Sequence, residues 1–209
     1  MKANDRQMHS LVIFLHGVGS RGGDLASLGE FWADALPGAA FAAPDAPFAF
    51  DQGGSGHQWF SVSGVTSANR PQRIVEARAV FDETLTRIIA EHGFADKLDR
   101  VALVGFSQGA IMSLDALVSG RWPIAAVVAF SGRLASPEPF TPTLATQALL
   151  VHGSIDTVIP ASESEGANAR LVGIGVNSTC HILRGVGHTI SSEGAVMAAT
   201  FLRSVLKLG

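Results

Sequence analysis

Three side chains with complementary chemistry lie in three separate segments: Ser107 in GFSQG, Asp156 in HGSIDTVIP and His188 in GVGHTIS. A serine hydroxyl is a poor nucleophile until an imidazole takes its proton. The imidazole in turn needs an anion to fix its tautomer and stabilise its charged form. The pattern G-x-S-x-G has the apolar run VALV before it and the helical pattern AIMSLDAL after it. That context predicts a sharp strand-to-helix turn, with flanking glycines because side chains there would clash, and with the serine held in a strained, accessible backbone position. The same turn aims the backbone amide of Gln108 at an oxyanion forming beside Ser107.

The rivals of these residues sort by position. Asp115 lies within a helical pattern, and Glu138 follows no strand directly. Among the histidines, His181 falls inside a strand, His92 at a helix end and His9 in the N-terminal tail. His16 and His152 each precede a glycine at a strand end, where an imidazole braces a loop by hydrogen bonds; position alone does not dispose of His57.

The loop HGVGSRGG (16–23) admits two readings. Gly17, Gly19 and Gly22 spell G-x-G-x-x-G, the fingerprint of a dinucleotide site. That reading needs a helix opening inside the glycine run and an acidic residue about 20 residues further on. Here the helical pattern starts only near Asp24, and Asp45 is the nearest acid at a strand end. If Ser107 is the nucleophile, the loop after the first strand supplies instead the second oxyanion donor, the amide of Val18.

Elements able to position these groups can be read along the chain. LVIFL (11–15), VALVGF (101–106), IAAVVAF (124–130), ALLVHG (148–153) and TCHIL (179–183) read as strands apolar on both faces, with AAFAAP (39–44) a weaker one. Helical patterns cover 24–36, with Leu25, Leu28, Phe31, Trp32 and Leu36 on one face; 73–93, ending at Gly93; 108–120; and 193–209. Alternation of this kind predicts an α/β fold, a mostly parallel, doubly wound sheet with helices on both faces, as a single domain over 1–209. The stretches 51–64 and 131–143, rich in Gly or in Pro and Ser, fit no element and fall on the rim at the carboxyl ends of the strands.

Composition narrows the class further. Hydrophobic residues make up 47% and charged residues 16%, enough for a buried sheet. A net charge of -3 with scattered basic residues gives no nucleic-acid partner. No run approaches the roughly 18 to 20 apolar residues of a membrane span, and Leu11 to Leu15 is too short for a signal-peptide core. Cys180 is alone, which excludes an intramolecular disulfide and a thiolate zinc site. A cytoplasmic protein without metal, cofactor or stable membrane insertion is expected; a homodimer is compatible with the sequence.

Taken together, LHGVGS, PDAPFAF, GHQWFS, GFSQGA, HGSIDTVIP and GVGHTIS resemble, in order, the markers of the phospholipase/carboxylesterase family, which includes the acyl-protein thioesterases. The resemblance runs from residue 11 to 191. It implies an α/β-hydrolase fold with no large cap domain, acting without a metal on carboxylic esters or thioesters, with lysophospholipids as the alternative substrate. It carries the nucleophile onto Ser107, the acid onto Asp156, the base onto His188 and the oxyanion amides onto Val18 and Gln108. The segment matching HQWF lies beside the family's acyl pocket, which makes Trp59 and Phe60 wall candidates; Phe48, Phe50 and Ile159 join them as apolar residues. Where the family pattern carries an aspartate and an arginine, this chain has Ser20 and His57.

Overall fold

A computed structural model describes residues 8–208. The first seven residues of the polar N-terminal tail, and Gly209, lie outside them. Six strands form one sheet: β1 (Ser10–Leu15), β2 (Ala39–Ala42), and four more after a two-stranded hairpin of β3 (Phe48–Ala49) and β4 (His57–Gln58). These four are β5 (Val101–Phe106), β6 (Ala126–Phe130), β7 (Gln147–Gly153) and β8 (Ser178–Leu183). The sheet order is β2-β1-β5-β6-β7-β8, and every pairing within it is parallel.

The helices are α1 (Gly23–Trp32), α2 (Arg70–Glu91), α3 (Gln108–Val118), α4 (Ser162–Gly173) and α5 (Ser192–Val205). From β1 the chain steps outward to β2, then returns across β1 to β5 and continues in the opposite direction. Right-handed crossovers in opposite directions must place their helices on opposite faces of the sheet. The core divides accordingly. Ile74, Phe81 and Leu85 of α2, Ala110 and Leu114 of α3 and Leu171 of α4 pack on one face, while Trp32 of α1 and Leu202 of α5 pack on the other. The reversal between β1 and β5 is a topological switch point, the place where open α/β sheets hold ligands outside the carboxyl ends of their strands.

Local detail departs from the periodicity in three places. β8 is an edge strand, so Thr179 and His181 stand exposed and only one of its faces is covered. α1 stops at Trp32 rather than at residue 36, and Phe31, at helical spacing with the core residues, is 56% exposed. Trp32 takes the core position, donating its indole N–H to the Ala195 carbonyl at 3.0 Å and tilting against Phe14. The stretch 51–64 is anchored by β4 and by an isolated bridge between Ser20 and His57.

Asp115 shows what a carboxylate inside a helix is for. It is fully buried on α3 and receives both the Nε and Nη2 donors of Arg78 from α2, at 3.0 and 2.8 Å. Arg121, just past α3, adds its Nη1 donor at 2.9 Å. Burial pushes the Asp115 carboxyl up, but the Arg78 hydrogen bonds and the Arg121 charge outweigh it, and its pKa lies below the ordinary value. Its contribution to stability is therefore present above the unfolded pKa of about 3.9 and lost as pH falls through the lower folded value. Asp115→Asn leaves the partly buried Arg78 guanidinium without its anion, while Arg121 keeps Asp82, and we expect a loss of about 3 kcal/mol. Urea unfolding at neutral pH would register it as a lower midpoint with an unchanged m-value.

Candidate active site

The turn between β5 and α3 has no room for a side chain two residues before or two residues after Ser107. A Cβ on Gly109 would lie 1.9 Å from the Leu15 carbonyl oxygen, and one on Gly105 would lie 2.4 Å from the Ala110 amide nitrogen. With both of these positions glycine, the chain turns tightly and Ser107 adopts φ 52°, ψ -113°, which costs a non-glycine residue about 1–3 kcal/mol. The Ser107 amide is tied to the Phe130 carbonyl of β6 at 2.9 Å, which fixes the turn to the sheet. Gln108 is the first residue of α3, so its amide has no carbonyl one turn earlier in the helix to accept it.

Loops after β7 and β8 bring the other two groups to the same rim. His188 Nε2 lies 3.0 Å from Ser107 Oγ, and His188 Nδ1 donates to Asp156 Oδ2 at 2.7 Å. The other Asp156 oxygen accepts the amides of Val158 and Ile159 at 2.8 and 2.9 Å. Burial pushes the Asp156 carboxyl up, yet the bonds from His188 and from these two amides prevail, and its pKa lies below the ordinary carboxylate value. The two loops also hold each other: Ser154 donates its amide to Leu183, and Ile155 donates to Val186. A ring contact with Phe106, 4.9 Å between centroids, steadies the His188 imidazole from the nucleophile's own strand.

The remaining histidines are spoken for by backbone. His152, fully buried, holds the acid's loop: Nε2 donates to the Ile159 carbonyl at 2.8 Å and lies 3.1 Å from Asp156 Oδ2, while Nδ1 faces the Ser164 hydroxyl at 2.7 Å. His16 accepts the Ala46 amide at Nε2, and His57 donates from Nδ1 to the Ala46 carbonyl, both at 2.9 Å. His57, the imidazole left open by sequence, thus holds the segment PDAP against the first loop. Cys180 offers no competing nucleophile, since burial and the charge of Glu165 push its thiol up to about 11.

The glycine loop after β1 has spent its donors internally. The amide of Gly19 goes to the His57 carbonyl, that of Ser20 to Gly17, that of Arg21 to Asp24, and that of Gly22 to the Asp45 carboxylate at 2.8 Å. A pyrophosphate would find these donors taken and two carboxylates in its place, so the fingerprint Gly17-Gly19-Gly22 is not a dinucleotide cradle. Asp45, the acid that reading would assign to a ribose, instead caps the start of α1, and Ser20 donates its hydroxyl to Asp24 at 2.5 Å. Among the described residues the Val18 amide has no protein acceptor outside regular helices and strands.

Sequence reasoning missed the side chain of Gln108. Buried directly behind the nucleophile, its Oε1 accepts the Trp59 amide at 2.8 Å and its Nε2 donates to the Phe60 carbonyl at 2.7 Å. The indole of Trp59 donates to the His16 carbonyl at 2.9 Å and meets Phe81 edge-on. Gln108 and Trp59 therefore lock the HQWF segment onto both the nucleophile turn and the first loop. The Gln of GFSQG and the Trp of HQWF were visible as letters, but nothing in their spacing shows that they meet.

Of Phe48, Phe50, Trp59, Phe60 and Ile159, expected as an apolar wall, the structure places Phe48 and Phe60 along one hollow and the others elsewhere. Trp59 is 1% exposed and belongs to the core, and Ile159 is buried and serves through its backbone. Phe50 packs its ring over Gly19. Phe48 and Phe60 line a separate hollow of about 450 Å³ with Arg73 and Glu76, whose walls include neither Ser107 nor His188. A cleft of about 470 Å³ does reach His188, and it runs between α1 and the segment leading into α5. Among the described residues no group of three or more His, Cys, Asp or Glu side chains is placed to hold a metal ion.

Comparison with known proteins sets this geometry in a lineage. The model of the phospholipase/carboxylesterase family matches residues 1–206. The chain belongs to that family. Its relative in Escherichia coli strain K12, the esterase YpfH, is 32% identical over 97% of this chain and 86% of its own. The crystal structure of esterase PE8 is 37% identical, with a TM-score of 0.84 over 94% of this chain and 93% of its own. Acyl-protein thioesterase 1 of Gibberella zeae is 25% identical over 96% and 92% of the two chains. As an α/β-hydrolase-fold member of this family, the chain is a serine hydrolase.

The Gln108 clamp carries a prediction. Gln108→Met keeps the backbone amide and the side-chain length but strands a buried N–H of Trp59 and a buried carbonyl of Phe60. At about 1–3 kcal/mol for each unsatisfied group, we expect a clear fall in Tm together with slower turnover of any ester substrate. Unchanged thermal unfolding would show that the clamp holds nothing.

Proposed function

We propose that the chain hydrolyses carboxylic esters or thioesters through an acyl-enzyme on Ser107. The observation that carries this reading is the hydrogen-bonded series Ser107 Oγ, His188, Asp156, at the switch point of the sheet. His188 Nε2 takes the serine proton as Oγ attacks the carbonyl carbon. It then gives that proton to the departing alcohol or thiol, and water cleaves the acyl-enzyme by the same steps in reverse roles. Asp156, kept ionised by its hydrogen bonds, fixes the Nδ1–H tautomer and stabilises the imidazolium. The amides of Val18 and Gln108 receive the oxyanion, each contributing roughly 3 to 4 kcal/mol to lowering the barrier. Relatives named esterase and acyl-protein thioesterase support both ester and thioester substrates. No helix among the described residues is long and apolar enough to cross a membrane. A single cysteine leaves no intramolecular disulfide to form, which supports the cytoplasmic location we propose.

Hydrolysis of p-nitrophenyl esters of increasing acyl length tests the proposal. Ser107→Ala is expected to lower kcat by at least about 10⁴-fold with circular dichroism unchanged. Wild-type rates in the mutant would overturn the serine mechanism. Asp156→Asn keeps the shape of the acid but not its charge, and we expect a kcat loss of about 10³- to 10⁴-fold with little change in KM. Labelling of the wild type by a fluorophosphonate, and its loss in Ser107→Ala, would report the nucleophile independently of substrate choice.

A further inference from the structure

The cleft beside His188 has features that the reaction as proposed does not use. Its lining carries an apolar stretch, Leu25, Leu28 and Phe31 of α1, Phe106 ahead of Ser107 and Ile190 after His188, among small hydroxyl residues such as Ser27, Thr189 and Ser191. Phe31 lies 56% exposed although its helical spacing marks it for the core, and it lines both this cleft and a smaller hollow beside Trp32. The lining touches His188 but not Ser107, Val18 or Gln108. This asymmetry assigns the cleft a side. In acyl transfer the acyl carbon is bound at Ser107 and its oxygen at the two amides, whereas the departing group is the one that must reach His188 Nε2 for its proton.

We infer that this cleft is the leaving-group subsite, and that it takes the chain of an apolar, uncharged alcohol or thiol. The inference rests on the ester-hydrolase reading above. Asp24 is the only carboxylate in the lining, and no Lys or Arg accompanies it. Its oxygen is fixed at the mouth by the Ser20 hydroxyl and the Arg21 amide. The hydrogen bonds from Ser20 and Arg21 hold the Asp24 carboxyl below its ordinary pKa, so the anion stays in place at neutral pH. A leaving group bearing a carboxylate or phosphate would meet a like charge there, with the nearby Arg21 guanidinium turned to the Ser55 carbonyl and outside the lining.

Two ester series on the purified enzyme test this. In one, butyrate is held constant and the alcohol runs from methyl to hexyl; in the other, methanol is held constant and the acid runs from acetate to hexanoate. Burial of alcohol methylenes raises kcat/KM by roughly tenfold for every two that enter the cleft, so hexyl butyrate should exceed methyl butyrate by at least that factor. Leu28→Trp, which fills the cleft, and Phe31→Ala, a surface change that removes one wall, should each flatten the hexyl-to-methyl ratio while the hexanoate-to-acetate ratio keeps its wild-type value. The butyrate ester of 6-hydroxyhexanoate should be several-fold poorer than hexyl butyrate, and Asp24→Asn should narrow that gap. A wild type indifferent to alcohol length, variants that flatten the acyl series instead, or equal turnover of the charged and uncharged alcohols would each overturn the assignment. Absence of turnover on every ester of both series would overturn the ester-hydrolase reading itself, which keeps the two failures apart.

Discussion

The carbonyl of Leu15, at the end of β1, lies where a side chain on Gly109 would have to go, and this steric limit governs the site. Because β1 and β5 pair in parallel with Leu15 opposite Gly105, the first turn of α3 is pressed against the end of the neighbouring strand. Only glycine tolerates that approach, and the turn it permits drives Ser107 to a positive φ. The strain is sustained by the surrounding structure: α3 is buried along its whole length, and the Ser107 amide is anchored to β6. The close approach that requires glycine also brings the Ser107 turn next to the loop after β1, which carries the Val18 amide.

Around that fixed turn, most polar contacts serve to hold loops to one another. Gln108 reaches from the helix start to the HQWF segment, and Trp59 reaches back to His16. His16 and His57 grip opposite sides of the Ala46 peptide, while the His57 backbone bridges to the glycine loop. On the other flank His152 and two amides fix Asp156, which fixes His188. A catalytic imidazole misplaced by an ångström loses orders of magnitude in rate, so a chain that builds its site from four separate loops must immobilise each of them. Three of the seven histidines, His16, His57 and His152, perform this bracing.

Much of this was legible beforehand for physical reasons that can be named. Buried parallel strands are apolar on both faces and bounded by turns, so five of the six sheet strands stood out as short runs, and β2 showed more faintly because it is short and lies at an edge. Ser107 and Asp156 were separable from rivals, and His188 from all but His57, because chemistry at a switch point requires residues just past strand ends, a local property. The substrate wall was not legible. Trp59, Phe60 and Ile159 have the composition of a pocket, but hydrophobicity cannot distinguish a side chain facing a ligand from one facing the core: here Trp59 is core, Ile159 is buried, and Phe60 lines a hollow away from Ser107. Phe31 erred the other way, carrying core spacing on a helix that tilts it into the open.

The sequence by itself determined the strand and helix alternation, the glycine-flanked serine and the placing of Ser107, Asp156 and His188 after strands, because each depends on local sterics or on residue types adjacent to strand ends. Only the tertiary structure decided which glycine-loop amides remain free, what Gln108 grips and which cleft opens on His188. Those depend on contacts between segments far apart in the chain: Gln108 with Trp59 and Phe60, Gly22 with Asp45, and α1 with the segment before α5. Such contacts are set by how helices and loops pack on the twisted sheet, and no periodicity along the chain encodes them.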